Sequence, residues 1–146
     1  MMNQKYIILD LDSTLANIDH RLHFIQGDKK DWDSFYGNIP NDVLNEEIAH
    51  LARLFWKDTI NILIFTGRPE RTREDTINWL SKHCIFFDQI FFRKDGDYRK
   101  DYIIKKEMLD YFNKEDILFA VDDRQQCVDM YRSEGITCLQ CADGKY

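Results

Sequence analysis

With 146 residues, 44% of them apolar and 14% aromatic, the chain is sized for one ordinary domain that buries roughly two thirds of its unfolded surface. A net charge of -6 disfavours broad electrostatic wrapping of nucleic acid, although acids gathered around one cation would account for part of that figure, so it does not exclude a polynucleotide end. Only 6 Gly and 2 Pro, with no internal repeat, exclude linkers and low-complexity tracts. Met1-Met2-Asn3-Gln4-Lys5 carries no apolar leader, and no run reaches the ~18 residues of a membrane span, so the expectation is a soluble cytoplasmic protein with a single domain over 1–146.

In chain order, Tyr6 to Leu9 reads as a strand running into Asp10-Leu11-Asp12-Ser13-Thr14. Between Ala16 and Pro40 the pattern breaks into Asp19–Phe24 and Lys30–Tyr36, too long for an ordinary strand-to-helix loop; about 17–40 is expected to form a small cap. The alternative is a helical turn whose Trp32, Phe35 and Tyr36 merely patch the core. Asn41 or Asp42 is expected to cap a helix with the apolar stripe Leu44, Ile48, Leu51 and Phe55. Asn61 to Phe65 is the second strand, and a helix starting near Pro69 carries Ile77, Leu80 and Cys84. A third strand covers Gln89 to Phe92. The next helix begins near Asp101, with Ile104, Met108 and Phe112 inward. Ile117 to Val121 is a strand, followed by a helix from about Gln125 through Cys127, Met130 and Tyr131 to a Gly135 stop. Thr137 to Cys141 is the last strand.

Most of these strands are continuous apolar runs, as expected where both faces are covered. Their alternation with helices predicts a three-layer α/β/α, Rossmann-like parallel sheet of about five strands with right-handed crossovers. Cys84, Cys127, Cys138 and Cys141 are expected to be reduced thiols, because Cys138-x-x-Cys141 has no second close pair to complete a zinc site.

Asp10 and Asp12 follow the first strand, Thr66 the second, and Asp122 and Asp123 the fourth, so each polar group emerges at a carboxyl end, where open parallel sheets bind ligands. The acidic pairs face each other if the fourth strand lies on the opposite side of the first from strands two and three. Two carboxylates one residue apart repel and are costly to bury, so a cation or a mobile proton is expected between them.

Phosphoryl transfer needs an in-line nucleophile, neutralised phosphate charge and a proton donor for the leaving oxygen. Asp10 fits the nucleophile, forming an aspartyl-phosphate. Asp12 fits the general acid and then base, which requires a pKa raised enough to hold a proton part of the time. Oxygen-only ligands favour Mg²⁺, held by Asp10, the Asp12 backbone carbonyl, and Asp122 or Asp123. Thr66 offers a hydroxyl to phosphate, Gly67 lets the backbone approach, and Lys105 is a point charge against phosphate and nucleophile. Each has a plainer alternative: an N-cap cluster at Asp122-Asp123-Arg124, a solvated face at Lys105-Lys106, and surface solvation for Arg21 and Arg68.

Asp10-Leu-Asp12-Ser-Thr14, Thr66, Lys105 and Asp122-Asp123 resemble the four motifs of the haloacid dehalogenase superfamily of phosphatases. Asp10-Leu-Asp-Ser-Thr-Leu-Ala16, Thr66-Gly-Arg68, Asp97-Tyr-Arg-Lys-Asp101 leading to Lys105, and Val121-Asp-Asp-Arg-Gln-Gln-Cys-Val-Asp-Met-Tyr-Arg132 look most like the 3′-phosphatase domain of bacteriophage polynucleotide kinase/phosphatase. The likeness continues through the tail Gly135–Gly144. It implies a Mg²⁺-dependent phosphomonoesterase acting on DNA or RNA 3′ ends, with Arg21 joining Arg68 in gripping substrate and Asp101 orienting Lys105 or an arginine. Ser13 stands where many relatives have Gly, and the Trp32-Asp33-Ser34-Phe35 stretch differs from the phage cap. No G-x-x-x-x-G-K-[ST] string occurs, so no P-loop kinase activity is expected.

Arg68, Arg71, Arg73, Arg93, Lys94, Arg99, Lys100, Lys105 and Lys106 fall near the proposed edge. A few of them suffice for a terminal phosphate, and Trp32 or Tyr36 can stack a base. Two alternatives stand beside this reading. One is the same chemistry on a free nucleotide or other small phosphoester; the other is a receiver-type signalling domain, which would need an acid where Phe91-Phe92-Arg93 ends the third strand.

Overall fold

Tyr6–Leu9 (β1) lies between Asn61–Pro69 (β4) on one side and Ile117–Asp122 (β6) on the other, and with helices packed on both faces of the sheet Ile7, Ile8 and Leu9 are all buried. In the computed structural model, which describes residues 3–144, Gln89–Arg93 (β5) and Cys138–Gln140 (β7) complete a sheet of order β5-β4-β1-β6-β7. Every pairing in it is parallel, with Ile8 opposite Leu63 and Ala120. Strand four thus lies across β1 from strands two and three, as the facing of the acidic pairs requires. The leader reading at Met1 and Met2 lies outside the described residues.

Strand periodicity sorts side chains to two cores. Ile7, Leu9, Ile62 and Ile64 pack with Ala49 and Ala52 of Glu46–Lys57 (α2) and with Trp79 and Leu80 of Arg73–Lys82 (α3). Ile8, Leu63 and Phe65 pack on the opposite face with Ile104 and Met108 of Asp101–Leu109 (α4) and with Cys127, Val128 and Tyr131 of Gln125–Ser133 (α5). Each large aliphatic so buried contributes roughly 1.5–3 kcal/mol. Gly135, at φ 80°, ends α5 in the left-handed region where a side chain is disfavoured.

Two helix starts differ from expectation. α2 begins at Glu46 rather than after Asp42, because Leu44 pairs with Ala16 in a two-residue antiparallel ribbon, Ala16–Asn17 (β2) with Val43–Leu44 (β3). Asn45 is also tied to the site loop, its Nδ2 donating to the Thr14 carbonyl at 2.8 Å. α3 begins at Arg73 because β4 runs on to Pro69 and a 3-10 turn spans Glu70–Thr72. Trp79 takes the inward position, while Cys84 lies beyond the helix, exposed, at φ 54°. All four cysteines are free thiols, Cys127 and Cys138 buried.

The chain between β2 and β3 forms the expected small cap: a 3-10 turn over Asp19–Phe24, a short helix Trp32–Gly37 (α1), and a 3-10 turn over Ile39–Asn41. Asp31 caps α1, accepting from the Ser34 backbone NH at 3.0 Å. Phe35 does enter the core, but Trp32 stays 42% exposed beside the site. No described helix is long and apolar enough to cross a membrane.

Candidate active site

Asp10 leaves the end of β1 with its NH still donating to the Val121 carbonyl at 3.1 Å, so sheet geometry carries its carboxylate to the sheet edge. Asp122 is the last residue of β6 and Asp123 the next. Single carboxylate oxygens of Asp10, Asp122 and Asp123 lie within 4.8 Å of one another, all three residues buried. Lys105, one turn into α4, is buried among them; its Nζ donates to Asp10 Oδ1 at 2.9 Å and to Asp122 Oδ2 at 2.6 Å. Burial opposes its charge, yet Asp10 and Asp122 more than offset this and hold Lys105 well above its ordinary pKa. Lys105 is therefore no solvated face residue.

Three carboxylates against one ammonium leave two negative charges, the charge of a single divalent cation. Burial, with Asp122 beside it, pushes Asp10 well above the usual carboxylate range, and Lys105 only partly opposes this. Burial and Asp122 likewise push Asp123 up to about 6. Asp122 spends one oxygen on Lys105 and the other on the Arg124 NH at 3.1 Å, whereas neither oxygen of Asp123 has a hydrogen-bond partner among the described residues. A buried carboxylate with both oxygens unpartnered, in an oxygen-only cluster, fits a Mg²⁺ ligand. It favours Asp123 over Asp122 as the direct one.

A metal-dependent pH profile follows. Asp123 binds its proton more tightly folded (about 6) than at the unperturbed value of 3.8. In metal-free protein its contribution to stability is therefore present below pH 3.8 and lost as pH rises through about 6. Divalent cations bind the ionised form, so the rise in Tm caused by Mg²⁺ should be larger near pH ~7.5 than near pH ~5. Equal rises at both would show that these carboxylates do not hold the ion.

Asp12 departs from expectation. Burial pushes its carboxyl up, but Arg68 and Arg21 overcome this and hold it below the usual range. Arg68 Nε and Nη2 donate to Asp12 Oδ1 at 2.9 and 2.5 Å, and Arg21 Nη2 donates to the same oxygen at 2.8 Å. Before substrate arrives Asp12 is thus ionised, not part-protonated. Arg21 and Arg68 are neither surface groups nor open to solvent in a phosphate grip: they are 0% and 1% exposed. Both also donate to Asp42, a residue read only as a helix cap, which accepts from Arg21 Nε at 2.7 Å and Arg68 Nη2 at 2.9 Å, while Arg21 Nη1 donates to the Phe35 carbonyl at 3.4 Å and Arg68 Nη1 to Thr76 Oγ1 at 3.1 Å. His20 Nε2 lies 2.8 Å from the same carboxylate.

Thr66 is 1% exposed and accepts from the Arg68 NH at 3.1 Å through its hydroxyl oxygen, leaving the hydroxyl proton for a ligand. Thr14, quoted only as part of a motif, donates its hydroxyl to Asp10 Oδ2 at 3.1 Å and so fixes the orientation of that carboxylate. The turn that brings it there holds Ser13 at φ 61°, a left-handed conformation that suits glycine better. Asp101 pairs with Arg93 and with Arg124 Nη1 at 2.9 Å, so it orients arginines and not Lys105.

Gly67 is needed where the Asp101 carboxylate packs on it. A Cβ there would stand 2.7 Å from Asp101 Oδ1 and 2.9 Å from Cγ. Gly67→Ala is expected to keep the fold, at a cost of about 1–3 kcal/mol, and to lower kcat/KM roughly tenfold by displacing Asp101 and its arginines. Wild-type kcat/KM with an unchanged melting temperature would show that the contact is dispensable.

Asp10, Asp12, Thr66 and Gly67 open into a cavity of about 610 Å³ walled by the cap, by the loop between β5 and α4, and by Arg124. A parallel sheet with a buried acid after its first strand, a buried lysine paired to it and two acids at the end of β6 defines a haloacid dehalogenase-type phosphatase, a hydrolase. The family model for the polynucleotide kinase PNKP phosphatase domain matches residues 4–146, and the chain belongs to that family.

Solved structures agree. One chain of the Pnkp1/Rnl/Hen1 RNA repair complex is similar at TM-score 0.84 and 31% identity, over 98% of this chain and 44% of that one. A second Pnkp1/Rnl/Hen1 complex gives TM-score 0.80 and 30% identity, over 100% and 49%. This chain therefore spans less than half the length of either. A class C acid phosphatase from Bacillus anthracis shares the fold at TM-score 0.74 and 15% identity, over 100% of this chain and 69% of that one.

Proposed function

We propose that this protein is a Mg²⁺-dependent phosphomonoesterase that removes 3′-phosphate from polynucleotide ends through a phosphoryl group carried on Asp10. The observation that carries the reading is the convergence of Asp122, Asp123 and Lys105 on Asp10, which itself opens into a cavity whose walls bear arginines and aromatic rings. The similarity to chains of an RNA repair complex supports a nucleic-acid end as substrate.

Asp10, the Asp12 carbonyl and Asp123 would hold the ion, which when bound neutralises phosphate charge and keeps Asp10 ionised. Thr14 and Lys105 aim the Asp10 carboxylate by holding one oxygen each. The Thr66 hydroxyl and Lys105 balance charge on the transferring phosphoryl group. Asp12, ionised at rest, is ready to take a proton from the attacking water in the second displacement. To act as acid in the first it must gain a proton as phosphate charge arrives beside it, since a nearby anion raises a carboxyl pKa.

The experiment that tests the reading compares phosphate release, with and without Mg²⁺, from 3′-phosphorylated oligonucleotides, 5′-phosphorylated oligonucleotides and nucleoside monophosphates. Mg²⁺-dependent release that favours the 3′-phosphorylated oligonucleotide is expected. Preference for the monophosphates would instead make the protein a nucleotidase, and release from none would remove the phosphomonoesterase reading.

A further inference from the structure

The cavity above Asp10 carries four aromatic rings that phosphoryl transfer does not use: Trp32, Phe35 and Tyr36 on the cap, and Tyr98 in the loop between β5 and α4. They are not equivalent. Tyr36 is already occupied, with Trp32 stacked on it at 5.8 Å and 23°, Phe35 edge-on at 5.2 Å, and the Arg71 guanidinium 5.3 Å from its centroid. Trp32 keeps 42% of its surface in water and Tyr98 keeps 94%. Tyr98 has no ring partner and no hydrogen bond among the described residues.

The loop that presents Tyr98 is internally stapled. Arg93 Nη1 donates to the Asp97 carbonyl at 2.9 Å and the Arg99 carbonyl at 2.5 Å. Arg99 in turn pairs with Asp97 at 2.7 Å and Glu107 at 2.6 Å. A phenol ring left almost wholly in water by a fixed loop is presented, not stored. Trp32, on the cap side of the same cavity, is held by Tyr36 stacked at 5.8 Å, Phe35 edge-on at 5.7 Å and the Lys30 ammonium 5.8 Å from its centroid. Lys94, in the same loop and lining the same cavity, has no carboxylate partner among the described residues. Two part- or fully exposed aromatic rings beside a cation and a phosphate site complement a nucleotide: its base has a π-face, its backbone a negative charge, and stacking accepts any base.

We propose that Trp32 and Tyr98 form a slot for the nucleobase of the nucleotide whose phosphate is removed. The slot makes recognition depend on the presence of a base while remaining tolerant of its identity. This inference rests on the 3′-phosphatase reading above and adds the part of the substrate that the enzyme recognises.

The test measures kcat/KM for two oligonucleotides ending in 3′-phosphate, identical except that one has an abasic terminal residue. The readout is the ratio of the two values. Wild type is expected to favour the base-bearing end roughly tenfold, mainly through KM. Trp32→Ala and Tyr98→Ala are expected to bring the ratio close to one, while Trp32→Phe, which keeps a ring, retains most of it. A wild-type ratio near one, or a full ratio retained in Trp32→Ala and Tyr98→Ala, would overturn the slot. No release from either oligonucleotide by wild type would overturn the 3′-phosphatase reading itself and the slot with it, a failure distinct from any change of ratio.

Discussion

Asp10→Asn is expected to lower kcat on any phosphomonoester by roughly 10⁴- to 10⁶-fold, the scale seen when a nucleophile is removed from an otherwise intact site. Asparagine keeps the shape of the side chain and one acceptor oxygen for Lys105 Nζ, which donates to Asp10 Oδ1 at 2.9 Å; Thr14 Oγ1, which donates to Oδ2 at 3.1 Å, must instead turn to accept from the asparagine amide, as a hydroxyl can. Only nucleophilicity and charge are lost. The fold is expected to survive, because without metal the site already favours the neutral form of Asp10: burial and Asp122 push its pKa well above 3.8. Folded protein therefore binds that proton more tightly than unfolded protein does. The corresponding stability is present below pH 3.8 and lost as pH rises through the raised value, a loss that Asp10→Asn escapes. In EDTA at neutral pH the variant should melt no lower than wild type, and in Mg²⁺ wild type should gain more. Kinetics and thermal melts on the same samples check both halves; turnover near wild type would remove Asp10 from the nucleophile's role.

Asp42→Ala should have the largest effect on stability. Its side chain is fully buried and accepts from both arginines that hold Asp12, so the group is a closed arrangement of two guanidinium and two carboxylate charges. Removing Asp42 leaves Arg21 and Arg68, 0% and 1% exposed, sharing the single carboxylate of Asp12. Breaking a buried pair in this way costs about 3–5 kcal/mol, a fall in melting temperature of roughly 10 °C for a chain of this size. The backbone of Asp42 also matters, since its carbonyl accepts from Trp79 Nε1 at 2.8 Å and is unaffected by the substitution. The loss therefore reports the side chain alone. Activity should fall as well, because Asp12 is aimed by the same arginines. An unchanged melting temperature would mean that the network is ornamental.

The contrast between these two residues shows what the sequence could and could not disclose. Asp10 was legible because an apolar run delivers it to a sheet edge, and that placement depends only on local pattern and parallel topology. Lys105 and the Asp122-Asp123 pair were legible for the same reason, each lying at a fixed step from an element end. Asp42 was not. Its partners Arg21 and Arg68 are 21 and 26 residues away, and Asn41-Asp42 ahead of an apolar stripe reads equally well as a helix cap. The protonation of Asp12 was hidden too, since a D-x-D spacing says nothing of the two arginines that converge on it from the cap and from β4. The late start of α2 has a similar origin: a two-residue ribbon with Ala16 claims Leu44, a tertiary contact that outranks helical periodicity. Strand positions, which depend on continuous apolar runs, were legible to within a residue or two except for the polar extension of β4 to Pro69.

The most direct measurement is chemical trapping during turnover. Protein mixed with substrate and Mg²⁺ is acid-quenched, reduced with borohydride, digested and read by peptide mass spectrometry, which converts a phosphorylated aspartate to homoserine. Homoserine at position 10, with Asp12, Asp122 and Asp123 unmodified, is the predicted result. Phosphate release with Asp10 unmodified, or homoserine at any other of these positions, would contradict the account.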